Sequence, residues 1–290
     1  MKKKRRNWAE LNTDCLIKVF EMLGSESAGL ESLTLDIPFV CKSWYKASLN
    51  PQCWKILRFP HALCRDPWVW WEYDGFAQRF MDKYRIQNFS FTGFVKLVVR
   101  RSRNSAVTVI LPPGCTSEVL ELISNECPSL KYLGFPSDLF PFDCELIQEL
   151  ISKCKDLEGL FLGQTHSFQE ILIQISLNCK NFSDLSVRGN LGNKEASAIV
   201  TLLPKIKYLR LRCTTLPRKS LRMILKGCKE LVLLDARNCV GFKAKDKEIL
   251  KMGSHIKTFM IQGSVVYKSE AGSPCNKNPC LDESDYDDYQ

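Results

Sequence analysis

Cysteine and histidine are the residue types in this sequence that could bind a metal or act as a nucleophile. The chain has 290 residues, with 14 cysteines and 3 histidines. Structural zinc sites are built from closely spaced pairs such as C-x2-C. No such pair occurs, and Cys275 and Cys280 stand in a Ser/Gly/Pro/Asn-rich segment without a second pair nearby. We therefore expect no metal and no cofactor.

A cysteine nucleophile would need a histidine base beside it. His61, His166 and His255 occur at unrelated positions, whereas several cysteines recur at a fixed spacing. This pattern does not favour a catalytic pair. We expect that the chain is not an enzyme.

The composition is that of a soluble globular protein, with 45% hydrophobic and 25% charged residues. No apolar run approaches the roughly 18 residues of a membrane span, and no apolar segment follows the basic N-terminus, so a secretory signal is not expected. The net charge is +9, and the two ends carry opposite charges: five basic residues in 1–6 and five acidic residues in 281–290. The basic end is read either as a nuclear import signal or as a solvated tail. We expect a location in the nucleus and/or cytoplasm, and we expect no nucleic-acid partner because no binding motif is present.

One pattern, Cys-x-x-Leu-x-x-Leu-x-apolar and its variants, organises most of the chain. Its first apolar positions are Leu130, Leu157, Phe182, Ile206, Leu231 and Ile256. The steps of 24 to 27 residues lie in the range of leucine-rich repeats, and a weaker copy precedes them at residues 106–111. Each copy is followed by apolar residues at helical spacing, as at Leu146, Ile147, Leu150 and Ile151. The sequence predicts an α/β fold, a curved solenoid of about six to seven strand–helix repeats.

The repeat also explains four of the cysteines. Cys127, Cys154, Cys179 and Cys228 occupy the same position in their repeats, just after the helix. We expect them to form a column of packing residues, because free cysteine behaves as a small hydrophobe.

The N-terminal segment has a different pattern, which predicts three short helices. Leu16, Phe20 and Leu23 share one face of the first helix, and Thr13 is placed as its cap. Residues 24–34 are predicted to be a loop. Pro38 is predicted to open the second helix, and residues 49–57 to form the third.

This segment resembles an F-box. The matching residues are Leu11, Leu16, Val40, Cys41, Trp44 and Trp54. Asn12 stands where the family usually has proline, and the loop between the helices is longer than usual. An F-box followed by leucine-rich repeats resembles the short plant type of F-box/LRR-repeat protein, over roughly residues 8–265.

The resemblance implies a substrate receptor of an SCF ubiquitin ligase. The F-box would bind a Skp-type adaptor, and through it the cullin and RING subunits, while the repeats would hold a protein target for ubiquitination. The adaptor-binding residues implied are Leu11, Leu16, Phe20, Val40, Cys41, Trp44 and Trp54. A non-catalytic repeat scaffold without a ligase role and a receptor gated by a small molecule stay open as alternatives.

The repeat register predicts which residues line the concave face, because side chains alternate along a strand. Arg188, Arg212 and Arg237 fall at one height on neighbouring strands, and Arg210 and Asp235 are neighbours that could pair. We interpret the arginines as a stripe that binds an acidic or phosphorylated target; the alternative is a solvated face with local partners. The predicted target-binding residues are Tyr132, Phe161, Asp184, Arg188, Tyr208, Arg210, Arg212, Asp235 and Arg237.

Five segments follow from these patterns: a basic tail (1–7), the F-box (8–60), a linker (61–105), the repeats (106–266) and an acidic tail (267–290) predicted to be disordered. The linker is rich in aromatic residues and is predicted to be a helical N-terminal cap of the solenoid. An exposed aromatic binding patch is its alternative interpretation.

Overall fold

The computed structural model describes residues 11–26, 28–59, 75–111, 115–135 and 144–266. The chain divides into two compact units, one ending at Leu130 and the other beginning at Lys131. Both predicted tails, and the linker residues Trp68, Trp70, Trp71 and Tyr73, lie outside the described residues.

The first unit opens with short helices and closes with strand–helix units. Its elements are α1 (Thr13–Gly24), α2 (Gly29–Glu31), a π-helical turn (Ser32–Asp36), a 3-10 turn (Ile37–Phe39), α3 (Lys42–Ser48), a second 3-10 turn (Pro51–Trp54), β1 (Ile56–Arg58), α4 (Phe76–Tyr84), α5 (Phe91–Ser102), β2 (Thr108–Ile110) and α6 (Ser117–Glu126). β1 and β2 pair in parallel, with Leu57 opposite Val109. The described part of the segment predicted to be a helical linker contains α4 and α5.

Three local predictions for this unit are wrong. Residues 29–34, the second half of the predicted loop, are instead helical turns in which Leu30 and Leu33 are buried. The end of the predicted third helix is instead strand β1. Asn12, not Thr13, caps α1: its Oδ1 accepts the backbone N–H of Asp14 at 3.0 Å.

The second unit is a regular stack of strand–helix repeats. Its elements are β3 (Tyr132–Phe135), α7 (Cys144–Lys153), β4 (Gly159–Leu162), α8 (Phe168–Asn178), β5 (Asp184–Val187), α9 (Asn193–Leu202), β6 (Tyr208–Arg210), α10 (Arg218–Gly227), β7 (Leu233–Asp235), α11 (Lys247–Met252) and β8 (Thr258–Met260). The strands pair in parallel in sequence order. The predicted fold class, α/β with strand–helix repeats, is confirmed.

The strand register follows the sequence repeat residue for residue. Each strand carries one apolar residue three positions after the first apolar residue of its repeat. These residues lie directly opposite one another on successive strands, in the order Leu133, Leu160, Leu185, Leu209, Leu234 and Phe259. The five leucines of this row are almost fully buried, since no leucine exposes more than 1% of its surface. One helix and one strand cannot cover these leucines alone, so each repeat depends on its neighbours for burial.

Each repeat from β5 onward turns through the left-handed backbone region soon after its strand. The residues there are Gly189, Cys213, Asn238 and Gly263, with φ values of 97°, 60°, 56° and 76°. They are 24 or 25 residues apart, and we call them the left-handed column. Non-glycine residues rarely adopt this conformation, and asparagine is among the better tolerated.

The repeated cysteines are buried, as the sequence predicted for packing residues. Cys154, Cys179 and Cys228 are free thiols inside the second unit, and Cys127 is a buried free thiol of the first. Burial raises the pKa of Cys154 and Cys228 to about 11. Cys213 departs from the expectation of free cysteines, because it is disulfide-bonded.

Candidate functional site

The N-terminal helices of the first unit, residues 11–54, form a small module with its own core. Leu16, Phe20 and Trp54 are buried, with 1%, 0% and 0% of their surface exposed. The Trp54 indole N–H donates to the Ser48 carbonyl at 2.7 Å. The Trp44 ring packs edge-on against Phe20, with 5.2 Å between the ring centres.

This burial corrects part of the predicted adaptor site. Leu16, Phe20 and Trp54 fill the core and offer no surface to a partner, so they can act only by holding the module together. Leu11, Cys41 and Trp44 are partly exposed, and Val40 is exposed over 55% of its surface. Of the seven predicted residues, Val40 therefore presents the most surface for direct contact.

The module exposes several apolar side chains, of which only Val40 is among the predicted adaptor-binding residues. The set, which we call the module's apolar surface, comprises Val19, Met22, Leu23, Phe39, Val40 and Tyr45. Leu23, predicted on one face with Leu16 and Phe20, is exposed over 40% of its surface. The first three members of the set follow i, i+3, i+4 spacing on α1 and so share one face. The 3-10 turn that carries Phe39 and the helix α3 that carries Tyr45 pack on each other. Several exposed apolar side chains on one small module are typical of an interaction surface.

The signal for this surface is present in the sequence but is ambiguous. Apolar residues on α1 cover more than one face, and only the structure shows that Leu16 and Phe20 point inward while Met22 points outward.

In the second unit, the strand face comprises the side chains that alternate with the buried leucine row. Tyr132, Asp184 and Tyr208 lie on this face, and Gly159 lies between the first two. A Cβ on Gly159 would come within 2.6 Å of the Tyr132 ring and 3.3 Å of the Asp184 Cβ. The absence of a side chain at residue 159 therefore lets Tyr132 lie across the neighbouring strand.

Tyr132 sits among acidic neighbours on this face. Its hydroxyl donates to Glu158 at 3.5 Å, and Lys131 makes an ion pair with the same carboxylate at 2.7 Å. Burial, followed by the charges of Glu158 and Asp184, raises the pKa of Tyr132. The phenol is accordingly neutral at physiological pH and can donate a hydrogen bond.

The arginines of the strand face have partners within the fold. Arg210 forms an ion pair with Asp184, whose side chain is nearly buried. Arg237 donates through Nε and Nη2 to Asp235, at 2.9 and 2.6 Å. As predicted, Arg210 and Asp235 are direct neighbours in the strand register. The ion pair described for Arg210, however, crosses to the preceding strand.

Arg188 is held by an aromatic ring. Its guanidinium carbon lies 5.2 Å from the centre of the Phe161 ring, which is buried. A guanidinium stacked in this way keeps its N–H groups directed to its edges. Phe161 thus supports Arg188 and is itself covered, so it offers little surface to a target.

The strand face therefore combines four arginines, Arg188, Arg210, Arg212 and Arg237, with the two aspartates Asp184 and Asp235, a net charge of +2. The residues of the predicted arginine stripe follow three successive strands: Arg188 comes after β5, Arg212 after β6 and Arg237 after β7. The stripe as a binding site stays a prediction. Buried acids fix some of the arginines in place, a feature that the spacing alone did not reveal.

Two other features, a metal-binding cluster and a membrane-spanning helix, are absent from the described residues. Within the described ranges, no cluster of His, Cys, Asp or Glu could hold a metal ion. None of the helices described is both long enough and apolar enough to cross a membrane.

The chain is similar in sequence to several plant proteins that are named as F-box proteins. No family model matches the chain. The F-box/LRR-repeat protein At3g48880 of Arabidopsis thaliana is 26% identical over 88% of this chain and 84% of its own length. A protein of the same plant named as F-box/LRR-repeat protein 23 is 28% identical over 82% of this chain, which spans 49% of that relative. The F-box protein SKIP19, also from Arabidopsis thaliana, is 22% identical over 97% of this chain and 85% of its own length.

Among solved structures, an internalin from Listeria monocytogenes aligns with a TM-score of 0.34 and 12% identity, covering 58% of this chain and 51% of that chain. The sequence relatives extend across both the helical module and the repeats, so the two halves of the chain are matched together. The chain is similar to plant F-box/LRR-repeat proteins over most of its length.

Proposed function

We propose that this chain is the substrate-recognition subunit of an SCF-type E3 ubiquitin ligase. The module of residues 11–54 would dock a Skp-type adaptor, and the strand face of the second unit would bind the protein target. The chain would supply no catalysis: it would hold a target near the ubiquitin-conjugating enzyme and so raise the effective concentration of the target lysine.

The observation that carries the proposal is the module's apolar surface. Its core is filled by Leu16, Phe20 and Trp54, so the exposed apolar side chains are not needed for its own packing. Met22 and Val40 are exposed over 64% and 55% of their surface, which is costly in water unless a partner covers them. The F-box names of the relatives support a Skp-type adaptor as that partner.

The proposal includes a location in the nucleus and/or cytoplasm. It rests on the basic residues Lys2 to Arg6, which fit an import signal.

The test is adaptor binding by exposed-site variants. The full chain is co-expressed with a plant Skp-type adaptor, and the affinity of the purified proteins is measured by calorimetry. Val40→Asp places an unpaired charge in the proposed interface and is expected to weaken binding by about tenfold or more. Leu177→Asp is the matched control, since Leu177 is 69% exposed but lies on α8 of the second unit. It is expected to bind as the unmodified chain does.

Leu16→Asp is unsuitable for this test because it would unfold the module. Normal adaptor affinity of a folded Val40→Asp variant would overturn the proposed contact. If the adaptor binds but no cullin-dependent ubiquitin transfer to captured proteins is detected, the chain acts instead as a repeat scaffold. Thermal stabilisation that depends on a small ligand would favour the gated receptor.

A further inference from the structure

A second surface, separate from the strand face and not foreseen from the sequence, lies in the first unit. It is a groove of about 500 Å³ along α5 and the end of α3. The groove is lined by Leu49, Gly93, Lys96, Leu97, Arg100, Arg101 and Arg103. Four of these seven residues are basic, so the groove carries a strong local positive charge.

The helical spacing arranges the cations in a line. Lys96 and Arg100 are four residues apart on α5, and Arg103 follows at its C-terminal end. Seven residues of helix rise by about 10 Å. Carboxylates at alternate positions of an extended peptide are about 7 Å apart, so two or three of them fit this length.

The charge is only partly balanced within the fold. Lys96 forms an ion pair with Glu118, and Arg100 lies 4.0 Å from Glu126. For Arg101 and Arg103, the described part of the chain provides no acidic partner. The helix dipole favours basic residues at the C-terminus of α5, which explains why Arg101 and Arg103 occur there. The dipole supplies no hydrogen-bond acceptor for their guanidinium groups.

Arg101 supplies a second, independent observation. Its Nη1 is buried without a hydrogen-bond partner among the described residues. Its guanidinium carbon lies 5.0 Å from the centre of the Trp54 ring, so the group is fixed against the module's core. A buried guanidinium N–H without an acceptor is costly, and a carboxylate reaching the groove would satisfy it.

We infer that this groove binds an acidic peptide segment of a partner protein. Alternate carboxylates of an extended segment would contact Lys96, Arg100 and Arg103 on one side of the segment. An apolar side chain between them would point to the opposite side and lie on the aliphatic lining, Leu49 and Leu97. The apolar lining is aliphatic, which suits a peptide side chain better than a nucleic-acid base, since bases bind to exposed aromatic rings. The volume of the groove falls in the range of ligand sites.

The test uses the full chain and a labelled heptapeptide, Glu-Ser-Glu-Leu-Glu-Ser-Glu, with binding followed by fluorescence anisotropy. The same peptide with Gln in place of Glu is expected to bind about tenfold more weakly or not at all. The double variant Arg100→Gln with Arg103→Gln should weaken binding by about tenfold, because it removes two exposed cations of the line. Lys180→Gln with Lys205→Gln removes the same charge at exposed positions of the second unit and should change affinity less than about twofold.

Two further variants report on the rest of the groove. Arg101→Lys keeps the charge but removes the forked geometry, and is expected to weaken binding with little change in the thermal midpoint. Leu97→Ser should lower the affinity for the heptapeptide. It should leave unchanged the affinity for the same peptide with Ser in place of Leu.

Equal loss of affinity in both double variants would overturn the inference, since binding would then depend only on net charge. Tighter binding of a twelve-nucleotide single-stranded RNA with the same arginine dependence would assign the groove to nucleic acid instead. A tenfold gain in peptide affinity after deletion of residues 281–290 would assign it to the chain's own acidic end. No adaptor is present in these measurements, so their outcome is independent of the proposed ligase role.

Discussion

At the scale of single residues, the strand face depends on a glycine. Gly159 leaves the space in which the Tyr132 ring lies, and Tyr132 in turn hydrogen-bonds to Glu158. The backbone of Gly159 is not in the left-handed region. Glycine is therefore needed at this position only because a side chain would clash with the Tyr132 ring. Any larger residue must displace the tyrosine ring.

We therefore expect Gly159→Ala to lower the free energy of unfolding by about 1–3 kcal/mol, as overpacking does. Tyr132→Ala removes the group that clashes, so the double variant should lose less than the sum of the two single losses. Urea unfolding of the four proteins measures this coupling. Strictly additive losses would show that the ring does not limit residue 159.

Sequence reasoning succeeded on this face in placing residues and failed in assigning their partners. Alternation along a strand identified Asp184, Arg210 and Asp235 as face residues because that pattern is local. The ion pair from Arg210 to Asp184 is diagonal across two strands, and side-chain torsions rather than spacing decide such a choice.

At the scale of elements, regular repeats were predictable and irregular segments were not. The 24- to 27-residue spacing predicted the strand register of the second unit, because every repeat faces the same packing requirement. The segment of residues 24–34 has the Ser, Gly and Glu content of a loop. Its second half nevertheless forms helical turns, because Leu30 and Leu33 are buried there. There, tertiary burial overrides local preference.

The arginine row belongs to this scale, since three successive strands contribute to it. Arg188→Ala combined with Arg212→Ala is expected to reduce recovery of acidic or phosphorylated targets. Arg237→Ala is expected to reduce recovery as well and to lower the free energy of unfolding by about 1–3 kcal/mol, because it removes the side-chain donors of the buried Asp235 carboxylate.

Quantitative mass spectrometry of captured proteins, with the proteasome inhibited, measures recovery for these variants. Lys180→Gln with Lys205→Gln serves as the control for lost charge. If recovery of acidic proteins stays at the level of the unmodified chain, the face holds its targets by other groups.

At the scale of the whole molecule, the cysteines report on both units. Cys53 is buried in the first unit, and burial raises its pKa to about 11. Cys179 in the second unit has its pKa raised to about 12, chiefly by burial. Cys41 is different: hydrogen bonds from Ser43 and the Trp44 N–H lower its pKa. Thiol reactivity follows the thiolate form.

In the native chain near pH 8, we expect iodoacetamide to label Cys41 well before Cys53, Cys154, Cys179 or Cys228. In rising urea, Cys154, Cys179 and Cys228 should become reactive together, because stacked repeats lose their burial cooperatively. Peptide mass spectrometry resolves each site. Labelling of Cys179 in native buffer as fast as Cys41 would contradict the burial described for it.

The left-handed column has a consequence for how such a chain can change in length. Gly189, Cys213, Asn238 and Gly263 lie at equivalent positions, in the turn that follows the strand of each repeat. Gain or loss of a whole repeat between two of these positions keeps every remaining residue of the leucine row opposite its counterpart. Differences of one to three residues are absorbed in the turns, because steps of 24 to 27 residues all keep the same register. The second unit, and with it the strand face, can therefore gain or lose strands only as whole repeats.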